Sequence, residues 1–330
     1  YHIALALNNE FVFPKTESNL LLNLGNVYFQ LDNYQEAYRH YRQRDTRFKP
    51  SGNSLTEQTY RERYGRTCFN VGNSEESIEQ FRLAVKIADP NNQAQQARLH
   101  ERLGLSYQDL QKHSDAISHF SKALQLNLEG GDPKNIPKLR RNIGVNFYNL
   151  GSQNQFSVDS KKALRKALHS YLTSIEGIER VGTTAQKKGS GLINIELAFE
   201  DNASQAARGF DQEGETKLLF SYIAGTYEKL GEPDKALEYY LKKLQLIDLS
   251  DTVSVPNRAE RAIVFNHLAL LSHKSGLMED AMSYSLQSLQ DTQALSLSFG
   301  TNVNLFNLSQ LLMENFLAGQ GVDQWRLEKL

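Results

Sequence analysis

Apolar and small residues recur along the chain at helical spacing, in pairs of segments separated by short polar turns. In the first pair, Leu24, Gly25 and Tyr28 lie in one segment, and Ala37 and Tyr41 lie in the next. Residues three and four positions apart share one face of an α-helix, so each segment has one apolar face. The pattern therefore predicts a hairpin of two amphipathic helices joined by a turn.

The same layout returns further along the chain. In five of the six copies, the small residue of the second segment lies 12 positions after the small residue of the first. Small residues at matched places are expected to let the two helices of a hairpin approach closely, while a nearby tyrosine fills the space beside them. The later copies begin at Tyr64-Gly65, Leu103-Gly104, Ile143-Gly144, Ile223-Ala224 and Leu268-Ala269.

One hairpin cannot bury its outer apolar face alone, so successive hairpins must stack. We therefore predict an all-α solenoid of antiparallel helical hairpins that runs as a single domain through residues 1–330. Six to seven hairpins are expected, at residues 18–50, 57–90, 96–129, 136–180, 213–249, 258–291 and 299–330, with an irregular insertion at 181–212.

Two stretches interrupt the pattern. The fourth copy has about 11 extra residues near 151–160, so its second helix is expected only at 163–175. Within the insertion, residues 187–191 have the composition of an exposed loop, and a short helix is expected at 192–207.

The repeated layout resembles the tetratricopeptide repeat, whose signature is W-x2-L-G-x2-Y followed by A-x3-F. The copies recur about every 40 residues instead of the usual 34, which is similar to the long-helix subclass found in LGN/Pins adaptors and kinesin light chains. The signature tryptophan is missing, because the only tryptophan is Trp325. The resemblance implies a right-handed superhelix in which the first helix of each hairpin lines a concave groove.

Composition narrows the classes of partner. The chain has 37 Lys and Arg against 38 Asp and Glu, a formal net charge of −1, so no global charge attracts nucleic acid or anionic lipid. The apolar runs are far shorter than the roughly 20 residues of a membrane helix. A single cysteine, Cys68, excludes an internal disulfide; it takes the place of a packing tyrosine and is expected to be buried. We expect a cytoplasmic protein with neither a nucleic-acid nor a membrane partner.

Known catalytic and cofactor motifs are missing from the sequence. It contains no HExxH zinc motif, no GxSxG nucleophile motif, no phosphate-binding loop and no dinucleotide-binding GxGxxG. We therefore expect no enzyme activity, no cofactor and no metal.

Polar side chains lie along the first helix of each of the first four hairpins, at positions that share one helical face. The first copy carries amides there and the next copies carry cations, although the whole chain is nearly neutral. The candidate partner-binding residues are Asn23, Asn26, Arg63, Arg66, Arg98, Arg102, Arg141 and Asn142.

The resemblance assigns roles to these residues. It implies that Asn23, Asn26 and Asn142 hold the backbone of an extended peptide. The arginines would bind acidic side chains or a terminal carboxylate, because a guanidinium offers bidentate geometry. The alternative is a solvated face on which Glu62 and Glu101 neutralise the arginines in exposed pairs, each worth about 0–1 kcal/mol.

Three functions compete. The first is a non-catalytic scaffold or adaptor that binds an extended or acidic segment of a partner protein in its groove. The second is a regulatory or sensor domain of a larger signalling enzyme or transcription regulator, which the non-methionine first residue, Tyr1, favours. The third is a structural subunit of a large complex.

Overall fold

The computed structural model describes residues 14–48, 55–153, 157–188, 211–250, 255–295 and 298–317. These residues form thirteen α-helices and one short 3-10 turn, without any β-strand, so the predicted all-α solenoid class is confirmed. The helices are α1 Pro14–Gln30, α2 Tyr34–Arg47, α3 Leu55–Asn70, α4 Ser74–Ile87, α5 Gln93–Asp109, α6 His113–Glu129, α7 Ile136–Ser152, α8 Val158–Lys188, α9 Gln212–Leu230, α10 Pro233–Ser250, α11 Val255–Lys274, α12 Met278–Ala294 and α13 Ser298–Leu317.

The chain divides into two compact units, Tyr1–Leu150 (unit 1) and Gly151–Leu330 (unit 2). Unit 1 stacks the hairpins α1–α2, α3–α4 and α5–α6, followed by nearly all of α7. Unit 2 contains α8, the hairpins α9–α10 and α11–α12, and α13, and each of these helices packs on the next. That one solenoid runs through both units stays a prediction. None of the described helices has the length and apolar character needed to cross a membrane.

The turn inside each hairpin follows one backbone plan. A residue with positive φ ends the first helix, and the next residue donates its N–H to a carbonyl five positions back, as Asn33 does to Tyr28 at 2.9 Å. This is the Schellman arrangement, and it satisfies carbonyls that a helix end leaves unpaired. The positive-φ residues are Asp32, Gly72, Gln111, Gly231 and Gly276.

The glycine on the first helix of each of the first three hairpins makes room for an aromatic ring. A Cβ atom added at Gly104 would lie 2.7 Å from the ring of Phe120, and one added at Gly65 would lie 2.9 Å from the ring of Phe81. Close approach was predicted, but with the matching Ala or Ser as the contact. The structure instead places the aromatic side chain four residues further along the second helix against the glycine, because a helix turn brings that ring over the gap.

A buried charge network joins the first two hairpins. Arg61 is only 2% exposed, and its guanidinium contacts Glu57 at 2.8 Å and Asp45 at 2.6 Å. Arg44 contacts the second oxygen of Glu57 at 3.1 Å. Buried charges persist only when they are paired, so this network fixes how α2 packs against α3.

Cys68 is fully buried in the same region, as predicted for a packing residue. Burial raises the pKa of its thiol, because the thiolate would lose its hydration. The side chain therefore lacks the properties of a reactive thiol.

The boundaries of α8 differ from the prediction. The helix begins at Val158 instead of residue 163 and continues to Lys188, inside the segment 181–212 that was expected to be irregular. The helix reaches this far because residues 181–188 contain no proline and only one glycine, Gly182. The helix predicted at 192–207 lies outside the described residues.

Candidate partner-binding face

The first helices of unit 1 lie side by side, with α3 contacting α1 on one side and α5 on the other. Arg63 and Arg66 lie on α3, and Arg98 and Arg102 lie on α5. We call these four residues the arginine face. Side chains three and four positions apart project from the same side of a helix, so each helix contributes two cations to one surface.

Arg98 is already engaged within the chain. Its Nε lies 3.0 Å from Oε1 of Glu62, and its Nη2 donates to Oε2 of Glu62 at 3.0 Å. The two parallel bonds make a bidentate pair between α3 and α5. Lys138 on α7 makes a single contact with Glu101 on α5, with Nζ 2.8 Å from Oε1. The first helices α3, α5 and α7 are therefore linked in order by a ladder of two ion pairs.

Arg66 is held in a half-buried position. Its guanidinium carbon lies 4.8 Å from the ring centre of Phe29 on α1, the geometry of a cation–π contact. Burial lowers the pKa of the Arg66 guanidinium, and the positive charge of Arg102 is the next largest cause; Glu62 acts in the opposite direction. The one carboxylate among these causes, Glu62, is the partner of Arg98, whereas Arg102 adds a second positive charge near Arg66.

Arg63 and Arg102 form no ion pair within the part of the chain that the structure describes. Both side chains are half-buried. Arg63 also acts on the buried phenol of Tyr41: burial raises the pKa of Tyr41, and the charges of Arg63 and Arg66 oppose that rise. The two arginines therefore supply cationic groups at this face that no described carboxylate neutralises directly.

The predicted amides occupy different environments. Asn26 accepts a hydrogen bond from the Tyr41 hydroxyl at 2.8 Å, which fixes its carboxamide on the edge of the arginine face. Asn23 is half-buried on α1. Asn142 lies on α7 and is 7% exposed, and among the described residues its Nδ2 has no hydrogen-bond partner. Arg141, next to it, is half-buried. Asn23 and Asn26 thus lie on α1, the helix next to the one that carries Arg63 and Arg66, whereas Arg141 and Asn142 lie on a later first helix, α7.

Unit 2 carries polar pairs that the sequence interpretation did not include. His273 on α11 lies 2.5 Å from the Glu314 carboxylate on α13, and Asn307 donates to Asn266 at 3.3 Å. Both pairs join residues 41 positions apart, so extending the repeat offset into the last copies would have found them. Together with Leu270, Ser285 and Gln310, they line a shallow groove within unit 2.

A further histidine contact links α9 to α11. His267 Nδ1 lies 3.4 Å from Oε1 of Glu228, and its ring stacks on Tyr240 with 4.8 Å between ring centres. The pKa of Glu228 is lowered although burial acts to raise it, because hydrogen bonds from His267 and Tyr240 stabilise the carboxylate. In the described part of the chain, no group of three or more His, Cys, Asp or Glu side chains has the arrangement of a metal site.

Comparisons with known proteins match this repeat architecture. Two family models, both described as tetratricopeptide repeat, match the chain, one over residues 220–252 and the other over residues 18–43 and 97–129. No curated protein sequence matches the chain.

Several solved structures share the fold. BtubC (BKLC) from P. vanneervenii is 11% identical, with a TM-score of 0.55 over 81% of this chain and 91% of that chain. The apo form of RapI is 14% identical, with a TM-score of 0.53 over 90% of this chain and 98% of that chain. The apo quorum sensor NprR from B. thuringiensis is 16% identical, with a TM-score of 0.52 over 97% of this chain and 76% of that chain. At such low identity the similarity shows the fold alone.

Proposed function

The chain is a tetratricopeptide repeat protein, and on that premise we propose that it is an interaction scaffold whose arginine face binds an extended acidic segment of a partner protein. The observation that carries the proposal is the way the charges of this face are paired. Glu62 is already held by Arg98, and Arg63 and Arg102 form no ion pair among the described residues. An acidic segment supplies the missing negative charge.

The spacing of the face suits an extended chain. Packed helices lie roughly 8–10 Å apart, which is the length of about three extended residues. Acidic side chains at that interval would meet cations of α3 and of α5 in turn. The carboxamide of Asn26, fixed by Tyr41, offers an amide group beside them, and an amide can both donate to and accept from a peptide backbone.

A charge-reversal pair tests the proposal. The Arg63→Glu/Arg102→Glu variant is compared with Lys86→Glu/Lys122→Glu, which makes the same change of charge on exposed residues of the second helices α4 and α6. The ligands are degenerate peptide libraries with a fixed Glu-x-x-Glu, Gln-x-x-Gln or Lys-x-x-Lys core. We expect the parent chain and the lysine control to retain the Glu library, and the arginine variant to lose it.

Equal retention of the three libraries by the parent chain would contradict the proposal, as would retention of the Glu library by a folded arginine variant. Circular dichroism at 222 nm and the thermal midpoint identify a variant that has failed to fold. Binding of the acidic library should also weaken with added salt, because the contacts lie near the surface.

A structural role is the second candidate, and the ladder of Glu62 with Arg98 and Glu101 with Lys138 favours it. In that role the charged side chains of the first helices hold neighbouring hairpins in register. They then bind no ligand. It predicts that no library is retained, while Glu62→Gln lowers the thermal midpoint. Library retention with an unchanged midpoint for Glu62→Gln would exclude it.

A further inference from the structure

The three unneutralised guanidiniums of the arginine face differ in how they are held. Arg66 lies over the ring of Phe29, and the half-buried Arg63 and Arg102 lie one turn away on α3 and on the neighbouring first helix α5. A guanidinium that stacks on a ring keeps its N–H groups in the plane of the stack, where they remain able to donate two parallel hydrogen bonds. The face therefore presents one pre-oriented fork flanked by two further cations.

The carboxylates around this centre are already used. Both oxygens of Glu62 face Arg98, and Oε1 of Glu101 contacts Lys138, so neither is free to turn toward Arg66. Besides Glu62, only Tyr34 is among the main causes that raise the pKa of Arg66, and the charge of Arg98 lowers it. One incoming carboxylate would neutralise a single charge and leave two of the three guanidiniums uncompensated.

We propose that Arg63, Arg66 and Arg102 form a seat for a doubly charged phosphoryl group on the partner segment, so that the scaffold recognises a phosphorylated acidic sequence. This inference rests on the proposed function and specifies its ligand. A phosphoryl group carries about −1.5 to −2 charges near pH 7 and has three acceptor oxygens. It can therefore accept the fork of Arg66 and one hydrogen bond from each flanking guanidinium, and its second negative charge offsets more of the three positive charges than a single carboxylate does.

The test uses degenerate peptide libraries that share an acidic flank and differ only at one fixed central residue, which is phosphoserine, glutamate or serine. We expect the phosphoserine library to bind the parent chain about tenfold more tightly than the glutamate library at pH 7.5, a difference of about 1.4 kcal/mol. The advantage should shrink toward pH 5.5, because the second phosphate pKa is about 6. The glutamate library should change less over this range.

Two variants separate the seat from general charge attraction. Arg66→Lys keeps the charge but removes the planar fork, so the phosphoserine advantage should fall to less than about threefold while the glutamate library still binds. Lys122→Gln removes one charge from an exposed place on α6 and should leave the advantage intact. An advantage that survives in a folded Arg66→Lys variant would overturn the proposal.

The remaining outcomes are also decisive. Equal binding of phosphoserine and glutamate libraries would overturn the seat and leave the acidic-segment function standing. If none of the libraries binds, both proposals fail. Inorganic pyrophosphate is the last arm: if it competes at the concentration at which the phosphopeptides bind, the seat serves a free phosphoryl compound and the claim of a phosphorylated protein partner is wrong.

Discussion

The two units build the contact between neighbouring first helices from different chemistry. In unit 1 the links are Arg98 with Glu62 and Lys138 with Glu101. In unit 2 the links are His267 with Glu228 and His273 with Glu314, joined by an amide pair. A histidine link is an ion pair only when the ring is protonated.

The difference shows how one repeat register produces two kinds of surface. The charged links of unit 1 precede the small residue of their helices by three or six positions, whereas Glu228 and His273 follow theirs by four, so the repeated backbone plan does not determine where the linking charges lie. On the arginine face of unit 1, Arg98 takes the Glu62 carboxylate, and Arg63, Arg66 and Arg102 form no ion pair among the described residues. In unit 2, each histidine link already contains a carboxylate. Only the unit 1 face is therefore expected to attract an acidic ligand.

The largest expected effect concerns the buried charges of each unit. Arg61→Ala should destabilise unit 1 by about 3–5 kcal/mol, because it leaves the buried carboxylate of Glu57 without its strongest partner. The matched change in unit 2 is Arg261→Ala, which removes a bidentate contact to Asp291 at 2.7 and 2.6 Å. The Arg261 side chain is 23% exposed, so its loss should cost less, about 1–3 kcal/mol.

Hydrogen exchange measured peptide by peptide assigns each loss to its unit. We expect faster exchange in α2, α3 and α4 for Arg61→Ala, and in α11 and α12 for Arg261→Ala. Equal destabilisation by the two changes would show that the depth of burial does not distinguish the two networks.

The next effect separates two helical glycines, one in each unit. Gly104→Ala in α5 should cost about 1–3 kcal/mol, because its Cβ would lie 2.7 Å from the Phe120 ring. Gly225→Ala in α9 should instead stabilise the protein by about 0.5–1 kcal/mol, since no atom lies within 4 Å of the added Cβ and alanine favours a helix. Urea titration of both variants measures the two free energies of unfolding. A stabilising Gly104→Ala would mean that the ring can move aside without cost.

The smallest expected effect is a difference in acid sensitivity. Burial lowers the pKa of His100 in unit 1 to about 4 from its ordinary 6.5, with the neighbouring His119 and Lys122 adding to the shift. The unfolded chain therefore binds the proton more readily than the folded chain. Stability from neutral His100 is fully present above pH 6.5 and is lost as the pH falls toward 4.

The unit 2 counterpart is Glu228, whose pKa is lowered from its ordinary value of 4.5. The ionised Glu228 therefore stabilises the fold above pH 4.5, and this stability is lost only as the pH falls below 4.5. Thermal unfolding of His100→Gln should show a smaller fall in midpoint than the parent chain between pH 6.5 and 4.5. Glu228→Gln should follow the parent chain over that range. If His100→Gln and the parent chain have the same slope, His100 does not account for the acid sensitivity of unit 1.

Much of the fold follows from the sequence because its signals are local. The 12-position offset within a hairpin and the roughly 40-residue period define the helices, and the burial of Cys68 follows from its place in the repeat. The aromatic contact on the glycines was missed, because residue spacing does not show which side chain of the second helix reaches across. The extension of α8 was missed because residues 181–188 lack the apolar periodicity of a repeat.

The candidate site was only partly predictable. The sequence shows the cations of α3 and α5 as a stripe at helical spacing. Which carboxylate pairs with which cation depends on how neighbouring helices align. Glu62 pairs with Arg98, 36 residues away, and not with Arg63, the next residue on its own helix, which forms no ion pair among the described residues. The fixing of Asn26 by Tyr41 and of Arg66 by Phe29 likewise needs three-dimensional packing.

The most direct test of the account is hydrogen exchange of the chain with and without a saturating acidic peptide drawn from the retained library. The account predicts protection in the peptides that cover 55–70 and 93–109, which contain α3 and α5, with the protection lost in Arg63→Glu/Arg102→Glu. Protection confined to 212–230, 255–274 and 298–317, the first helices of unit 2, would contradict it.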